Sequence, residues 1–188
     1  MQALNIKEIT FVQEKYQQYN NIKCFIESGT FEGSTIFPLS NFFNQLHTIE
    51  LYDKYYHNAV SYAKKNKINN ISFHHGDSSE ILPKLALEIK EPVVFYLDGH
   101  FCGKKSRAIT PKDNFPLFNE INAINDFRDY NDIVIIDDYR LFGKNDLSNE
   151  IDWREVTEIN ILKCFNKNNV FSYFSKNDRF YILLKHKV

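Results

Sequence analysis

The 188-residue chain has only three cysteines, Cys24, Cys102 and Cys164, and no CxxC pair. That excludes a zinc knot or redox dithiol built on paired thiols, and leaves the reduced thiols expected of a cytoplasmic protein. Charge of one sign is also lacking: 23 Lys and Arg stand against 24 Asp and Glu, for a net charge of −1. The lysines are scattered, so no strong field argues for a nucleic-acid partner. No apolar run approaches the ~20 residues that a membrane helix needs; the longest are "VVFYL", "IVII" and "FYILL", and no membrane partner is expected. The opening "MQALNIKEITFVQEKYQQY" has no basic segment followed by an apolar one, so no signal peptide is expected. No internal repeat or low-complexity segment is present.

What the chain does have is alternation. Apolar runs of strand length take turns with longer amphipathic stretches, the pattern of βαβ units in a mostly parallel sheet. Helices are expected at "EITFVQEKYQQY", "TIFPLSNFFNQ", "KYYHNAVSYAKKN", "SSEILPKLALE", "PLFNEINAINDF" and "WREVTEINILKCFNKN". Parallel strands are expected at "KCFIES", "LHTIEL", "ISFHH", "VVFYLD" and "DIVIID", with "VFSYFS" and "RFYILLKHK" as a hairpin around "KND". The expectation is a single α/β domain over residues 1–188, with an N-terminal helix within 1–20. Its doubly wound, Rossmann-like, mostly parallel seven-stranded sheet ends in a C-terminal antiparallel hairpin. Residues 99–115 show no periodicity; a loop of that length inside a compact domain is usually functional or disordered, and it reads here as a substrate loop or lid.

In open α/β sheets ligands bind outside the carboxyl ends of the strands, and here those ends are rich in chemistry. Strand one ends in "ESGTFEGST", strand two in Glu50, strand three in "HHGDSS", strand four in "LDGH" and strand five in "IDDY". Turn residues are ordinary at such places, but acids, glycines or histidines at all five are not. Gly29 and Gly33 allow close backbone approach and open a helix. A phosphate loop would need Lys before the Ser/Thr, and a dinucleotide loop a second glycine where Phe31 stands. Glu27 would repel a pyrophosphate but suits a cation. A glycine loop beside carboxylates fits S-adenosylmethionine, with its sulfonium, ammonium and ribose diol.

"FIESGTFEGST" resembles the first motif of class I S-adenosylmethionine-dependent methyltransferases, with Phe31 departing from the usual E/DxGxG pattern. The resemblance runs from Glu27 to Asp138 and implies cofactor contacts from Glu27, Gly29, Thr30, Gly33, Ser34 and Thr35. Glu50 corresponds to the acid on the ribose hydroxyls, and Asp77, with Ser78 beside it, to the residue at the adenine amino group. Asp98 would border the cofactor.

Two adjacent acids, Asp137 and Asp138, end the apolar run "IVII". Inside the sheet at least one would be buried at a cost of several kcal/mol, so the strand is expected to stop there, where something positive holds the acids. With Asp98 at the end of the neighbouring strand, three carboxylates would converge and raise one another's pKa. Oxygen ligands of this kind suit Mg²⁺ or another hard divalent cation. The set resembles metal-dependent sugar O-methyltransferases of the macrocin O-methyltransferase type, where "LDGD" and "IDDY" supply the metal ligands. The resemblance implies Asp98, Asp137 and Asp138 as ligands and a substrate held through two adjacent hydroxyls. In that family the fourth residue of the first motif is a general-base Asp; here it is His100, whose roles as base, fourth ligand or bystander all stay open. "DGHFCGKKSRAITPKDNFPLFNEINAI" and "IDDYRLFG" also resemble small bacterial and viral methyltransferase-like proteins, matching at Thr110, Pro116, Glu120, Arg140 and Gly143. Glu120 reads as a helix-face residue, a cap for Lys104 or Arg107, or a catalytic acid.

The expectation is therefore an S-adenosylmethionine-dependent O-methyltransferase, divalent-metal-dependent, acting on a hydroxyl of a sugar or similar diol. The basic loop "GKKSR" is either solvated or a clamp for a phosphate or nucleotide-linked acceptor. Alternatives are a metal-independent methyltransferase or a non-catalytic cofactor-binding subunit. With no separate substrate domain, acceptor recognition falls to loops or a partner subunit, which makes a homo-oligomer plausible.

Overall fold

The computed structural model describes residues 3–99, 116–146 and 151–186. Its parallel strands are β1 (Cys24–Ser28), β2 (Gln45–Glu50), β3 (Ile71–His75), β4 (Val93–Leu97) and β5 (Ile133–Ile136). A two-stranded ribbon, β6 (Asn145–Asp146) and β7 (Ile151–Asp152), follows, and β8 (Val170–Lys176) and β9 (Arg179–Leu184) close the chain. The main sheet has the order β3-β2-β1-β4-β5-β9-β8. β9 runs antiparallel to β5, and β8 antiparallel to β9. The expected doubly wound sheet with a terminal hairpin is what the chain forms.

Several strands are buried on both faces, so their apolar runs are continuous and successive residues feed opposite cores. Cys24, Ile26, Phe95, Val134 and Ile182 join one core, against α4 (Ser78–Glu88) and α5 (Leu117–Phe127). Phe25, Val94, Ile133 and Leu183 join the other, against α1 (Ile6–Lys15) and α2 (Ile36–Leu39). α3 (Asp53–Lys65) packs on β2 and β3. Because β2 lies on one side of β1 and β5 on the far side of β4, the strand order reverses between β1 and β4. That reversal opens a crevice at their carboxyl ends.

Two expected helices are shorter than the sequence suggests. The stretch "TIFPLSNFFNQ" is helical only over α2, because Pro38 lacks an N–H and Ser40 Oγ caps the turn by donating to the Phe37 carbonyl at 2.6 Å. Asn44 and Gln45 are then recruited into the sheet, their amides donating to the Lys23 carbonyl. In "WREVTEINILKCFNKN" only α6 (Glu158–Lys163) is helical. Thr157 caps it, its hydroxyl oxygen accepting from the Asn160 amide at 3.1 Å. Trp153 is instead drawn into pairing with the segment after β5: its amide donates to the Lys144 carbonyl, and its carbonyl accepts from Gly143. Its ring is 1% exposed and belongs to the core.

The β8–β9 turn is made by Asn177 and Asp178, both at positive φ (52° and 63°), between the paired residues Lys176 and Arg179. Two left-handed residues give the turn a twist that matches its strands. Its tip is stitched to the end of β5: the Asp178 carbonyl accepts from the Tyr139 amide at 2.9 Å, and its carboxylate from the Arg140 amide at 2.7 Å. Among the described residues, no helix is long and apolar enough to cross a membrane.

On the face of the β2–β3 edge, His47 Nδ1 lies 3.0 Å from His74 Nε2, and the rings stack at 5.3 Å. The other ring nitrogen of His47 is 2.8 Å from Gln45 Nε2. Burial, with the His74 charge adding to it, pushes the His47 imidazole down to about 4. Burial also lowers His74, against the opposing charge of Glu88. Both are neutral in the fold, so below the ordinary histidine range the unfolded chain binds more protons than the folded one. The stability held by this pair is complete above ~6.5 and is lost as pH falls toward about 4. Urea midpoints for wild type and His47→Gln should show it: from neutral pH to about pH 5 the wild type should lose on the order of 2 kcal/mol more than the variant.

Candidate functional site

The loop after β1 is built on three left-handed residues: Gly29 (φ 86°), Phe31 (φ 48°) and Gly33 (φ 75°). Phe31 takes this conformation without glycine's freedom, at a conformational cost. What holds it is Glu50 at the end of β2. One Glu50 oxygen accepts from the Phe31 amide at 2.7 Å and the other from the Tyr52 amide at 2.8 Å. The Phe31 ring, half exposed, leans on Tyr55 with centroids 4.5 Å apart. Gly29 is obligatory for a second reason: a Cβ there would lie 2.4 Å from the Asp98 carbonyl oxygen. A Cβ on Gly33 would strike the Phe37 ring at 2.1 Å.

Behind the loop, Glu27 is 1% exposed and accepts from the Thr48 hydroxyl at 2.8 Å. Thr48 is 2.6 Å from the Thr30 hydroxyl, so the chain Glu27–Thr48–Thr30 pins the loop from inside. Burial, reinforced by the charges of Asp98 and Glu50, pushes the Glu27 carboxyl well above the usual carboxylate range. Thr35 is buried and Ser34 exposed at the mouth of α2. Asp77 is the N-cap of α4, one oxygen accepting from both the amide and the hydroxyl of Ser79 at 2.9 and 2.7 Å. Ser78, buried in the first turn, faces Gly99: a Cβ on Gly99 would sit 3.1 Å from the hydroxyls of both Ser78 and Ser28. The Asp98 amide donates to the Ser28 carbonyl at 3.2 Å. Loops after β1, β3 and β4 therefore meet at the crevice, carrying Gly29, Ser78 and Asp98 together. His74 bonds His47, and His75 stacks on Tyr56 at 4.7 Å.

The strand-end acids are arranged differently from a shared metal set. Asp98 is partly buried, with Oδ2 3.5 Å from the Tyr96 hydroxyl. That hydroxyl donates to Asp137 Oδ2 at 2.8 Å, and the other Asp137 oxygen lies 3.2 Å from Arg179 Nε. Arg179 also takes Glu8 of α1, at 2.9 and 3.2 Å from its two oxygens. Burial raises Asp137, outweighing the lowering by Arg179 and by the Tyr96 hydroxyl. Asp138, at the left-handed φ of 59°, is 1% exposed and pairs with Arg140 Nη1 at 2.5 Å. Among the described residues no three His, Cys, Asp or Glu side chains are grouped so as to hold a metal ion. The expected trio of Asp98, Asp137 and Asp138 does not fit one, because Asp137 and Asp138 already have guanidinium partners. His100 and Thr110 lie outside the described residues. Glu120 is no solvated helix-face residue: it is 1% exposed and, with Trp153, Leu117 and Asp137, lines a small pocket of about 10 Å³ beside Gly99.

Sequence reasoning missed Arg179, Tyr96 and Glu8. The available signal was a lone arginine opening the apolar strand "RFYILL" after the turn residues "ND".

No protein-family model matches the chain, and no curated protein matches it. Solved structures do match in fold. The O-methyltransferase TomG from Streptomyces achromogenes, solved with S-adenosylmethionine, is 15% identical with a TM-score of 0.63, over 99% of this chain and 82% of that one. An O-methyltransferase from Bacillus cereus, solved with S-adenosylhomocysteine, is 15% identical with a TM-score of 0.60, over 97% and 82%. An rRNA methylase from Streptococcus thermophilus is 13% identical with a TM-score of 0.51, over 88% and 87%. The chain thus has the Rossmann-like fold of S-adenosylmethionine-dependent methyltransferases, a fold that serves more than one kind of acceptor.

Gly29→Ala tests the loop. It forces a side chain onto a left-handed residue and into the Asp98 backbone, so the melting temperature should fall by the equivalent of at least ~2 kcal/mol. Gly143→Ala, also left-handed but with its nearest contact 3.9 Å away, should cost only about 1 kcal/mol.

Proposed function

We propose that this chain is an S-adenosylmethionine-dependent methyltransferase, and that the crevice between β1 and β4 is its cofactor site. The observation that carries the reading is the gathering of acids around a left-handed glycine loop at that crevice. Glu27 feels the charges of both Glu50 and Asp98, and Gly29 sits against the Asp98 backbone. A site with this excess of carboxylates favours a cationic ligand, and it has little use for a pyrophosphate. The solved structures of like fold that hold S-adenosylmethionine or S-adenosylhomocysteine support the same ligand.

In this reading Glu50 keeps acceptor capacity for a ribose diol, since each carboxylate oxygen can accept more than the single amide it now holds. Gly29, Thr30, Gly33, Ser34 and Thr35 shape the loop over the amino-acid portion, and Asp77 and Ser78 line the adenine side. Glu27 supports from behind and stays out of contact with the ligand. When bound, the cofactor supplies an electrophilic methyl group. The chain's part is to place an acceptor hydroxyl in line with it, which contributes through orientation, and to take the hydroxyl's proton. His100, two residues beyond Asp98, is the base this reading assigns. The acceptor is a small hydroxyl compound, a sugar or similar molecule, with the 99–115 loop or a second copy of the chain completing its site. A divalent ion is not part of this reading, because two of the three acids expected to hold it, Asp137 and Asp138, are paired with arginines.

Calorimetric titration of S-adenosylhomocysteine tests the assignment. Wild type should bind in the micromolar range, and Glu50→Ala should lose at least about tenfold, or ~1.4 kcal/mol. Absence of binding to a folded wild type would overturn it.

A further inference from the structure

The position of Arg179 is set by the fold. It is the first residue of β9, directly after the two-residue turn, and β9 lies beside β5 with Phe180 opposite Ile136. The guanidinium is therefore delivered next to Asp137, where β5 ends, and its side chain is 3% exposed. It is held from several sides. Asp137 and Glu8 supply carboxylates, Tyr96 lies beneath with its ring centroid 5.8 Å from the guanidinium carbon, and the Asn177 carbonyl accepts from Nη1 at 3.3 Å. Asp137 in turn has one oxygen on the guanidinium and the other on the Tyr96 hydroxyl.

A hard divalent ion would have to approach an Asp137 oxygen to about 2.0–2.6 Å. There it would stand within a few ångströms of a buried fixed cation, and the repulsion would be little screened. At Asp138 the opposing cation is Arg140, whose side chain is 45% exposed and so opposes an ion less strongly.

We propose that Arg179 is a positioning residue that takes the place of a divalent metal in this site: it is the permanent counter-ion of Asp137, and the protein binds its cofactor and acceptor without metal. The second half rests on the methyltransferase reading above; the first does not. One consequence concerns the acceptor. A guanidinium neutralises and orients, but it offers no open coordination positions and cannot chelate two adjacent hydroxyls. The acceptor class widens from vicinal diols to molecules with a single reactive hydroxyl.

The test is calorimetric titration of MgCl2, and separately MnCl2, into the chelator-treated full chain, for wild type and Asp137→Asn. S-adenosylhomocysteine is then titrated with EDTA and with Mg²⁺. The expected result is no saturable metal heat in the millimolar range and a cofactor affinity unchanged within about twofold between the two conditions. Saturable metal binding by wild type that Asp137→Asn abolishes would overturn the proposal. Melting of Arg179→Met supplies a readout that packing alone would not move. With the guanidinium gone, Mg²⁺ should raise its melting temperature while leaving wild type unchanged, and adding Asp137→Asn should recover part of the lost stability. If neither occurs in a folded Arg179→Met, Arg179 is not the counter-ion of Asp137; if that variant does not fold, the wild-type and Asp137→Asn titrations decide. Should S-adenosylhomocysteine fail to bind under either condition, the cofactor reading falls while the metal titrations still decide the role of Arg179.

Discussion

Arg179, Glu8 and Asp137 form an ion cluster with almost no access to water, and much of the molecule's arrangement follows from the need to keep it closed. Burying a charge is tolerable only when partners are in place, and removing one partner from a buried pair generally costs about 3–5 kcal/mol. Here the partners come from distant parts of the chain: Glu8 from α1, Asp137 from the end of β5, Arg179 from the start of β9. The Tyr96 hydroxyl from β4 completes one side, and the Tyr181 hydroxyl donates to Glu8 at 3.1 Å on the other. The cluster thus couples the first helix to the last strand, at the carboxyl end of the parallel strands. Near the opposite end, Arg128 does comparable work with neutral partners included. It makes a two-point pair with Asp132 and donates to the carbonyls of Ala86, Ile89 and Glu91, fastening the connection from α4 to β4.

The glycine loop depends on a different constraint. Three left-handed residues within five positions are conformationally expensive, and Phe31 has no glycine-like freedom to absorb that cost. The loop keeps its shape because the two Glu50 oxygens bind the backbone amides of Phe31 after β1 and Tyr52 after β2, and because Thr30 is tied through Thr48 to Glu27. Glu50 is therefore structural before any ligand arrives. An acid that already orders the loop is pre-organised to present its remaining lone pairs, and pre-organisation lowers the ordering cost of binding.

The strands were legible because each is an apolar run bounded by turn residues, and the crevice was legible because acids and glycines ended those runs. Helix lengths were less so. Pro38 and the hydrogen bonds of the Asn44 and Gln45 amides to Lys23 shortened α2, and the pairing of Trp153 with Lys144 removed the first turns of the helix expected to begin there. Both are tertiary choices that periodicity does not record. The partner of Asp137 was hidden for a related reason. Local sequence showed two acids needing a positive neighbour, and the resemblance supplied a metal. The cation the fold provides sits a whole helix and hairpin later, and only the antiparallel insertion of β9 beside β5 brings it there. Of the readings open for Glu120, the solvated one fails for the same reason: its place on the buried face of α5 depends on what packs above it.

The distribution of charge around the crevice then narrows the chemistry. Arg179 is shared between Asp137 and Glu8, and Arg140 is shared between Asp138 and Asp178, so the described cations nearest the strand ends are already engaged by acids. At the reversal point Glu27 is buried beside the charges of Asp98 and Glu50, and it responds by moving toward its neutral form. Such a crevice attracts a positively charged ligand on the β1 side. On the β5 side its acids are already neutralised, and a cation there would gain little. In the proposed reading, a methyl donor whose charge lies at its sulfonium and ammonium would match the first region. In the proposed reading an acceptor approaching over the second would meet carboxylates already paired with arginines, a surface better suited to a neutral hydroxyl compound than to a metal chelate.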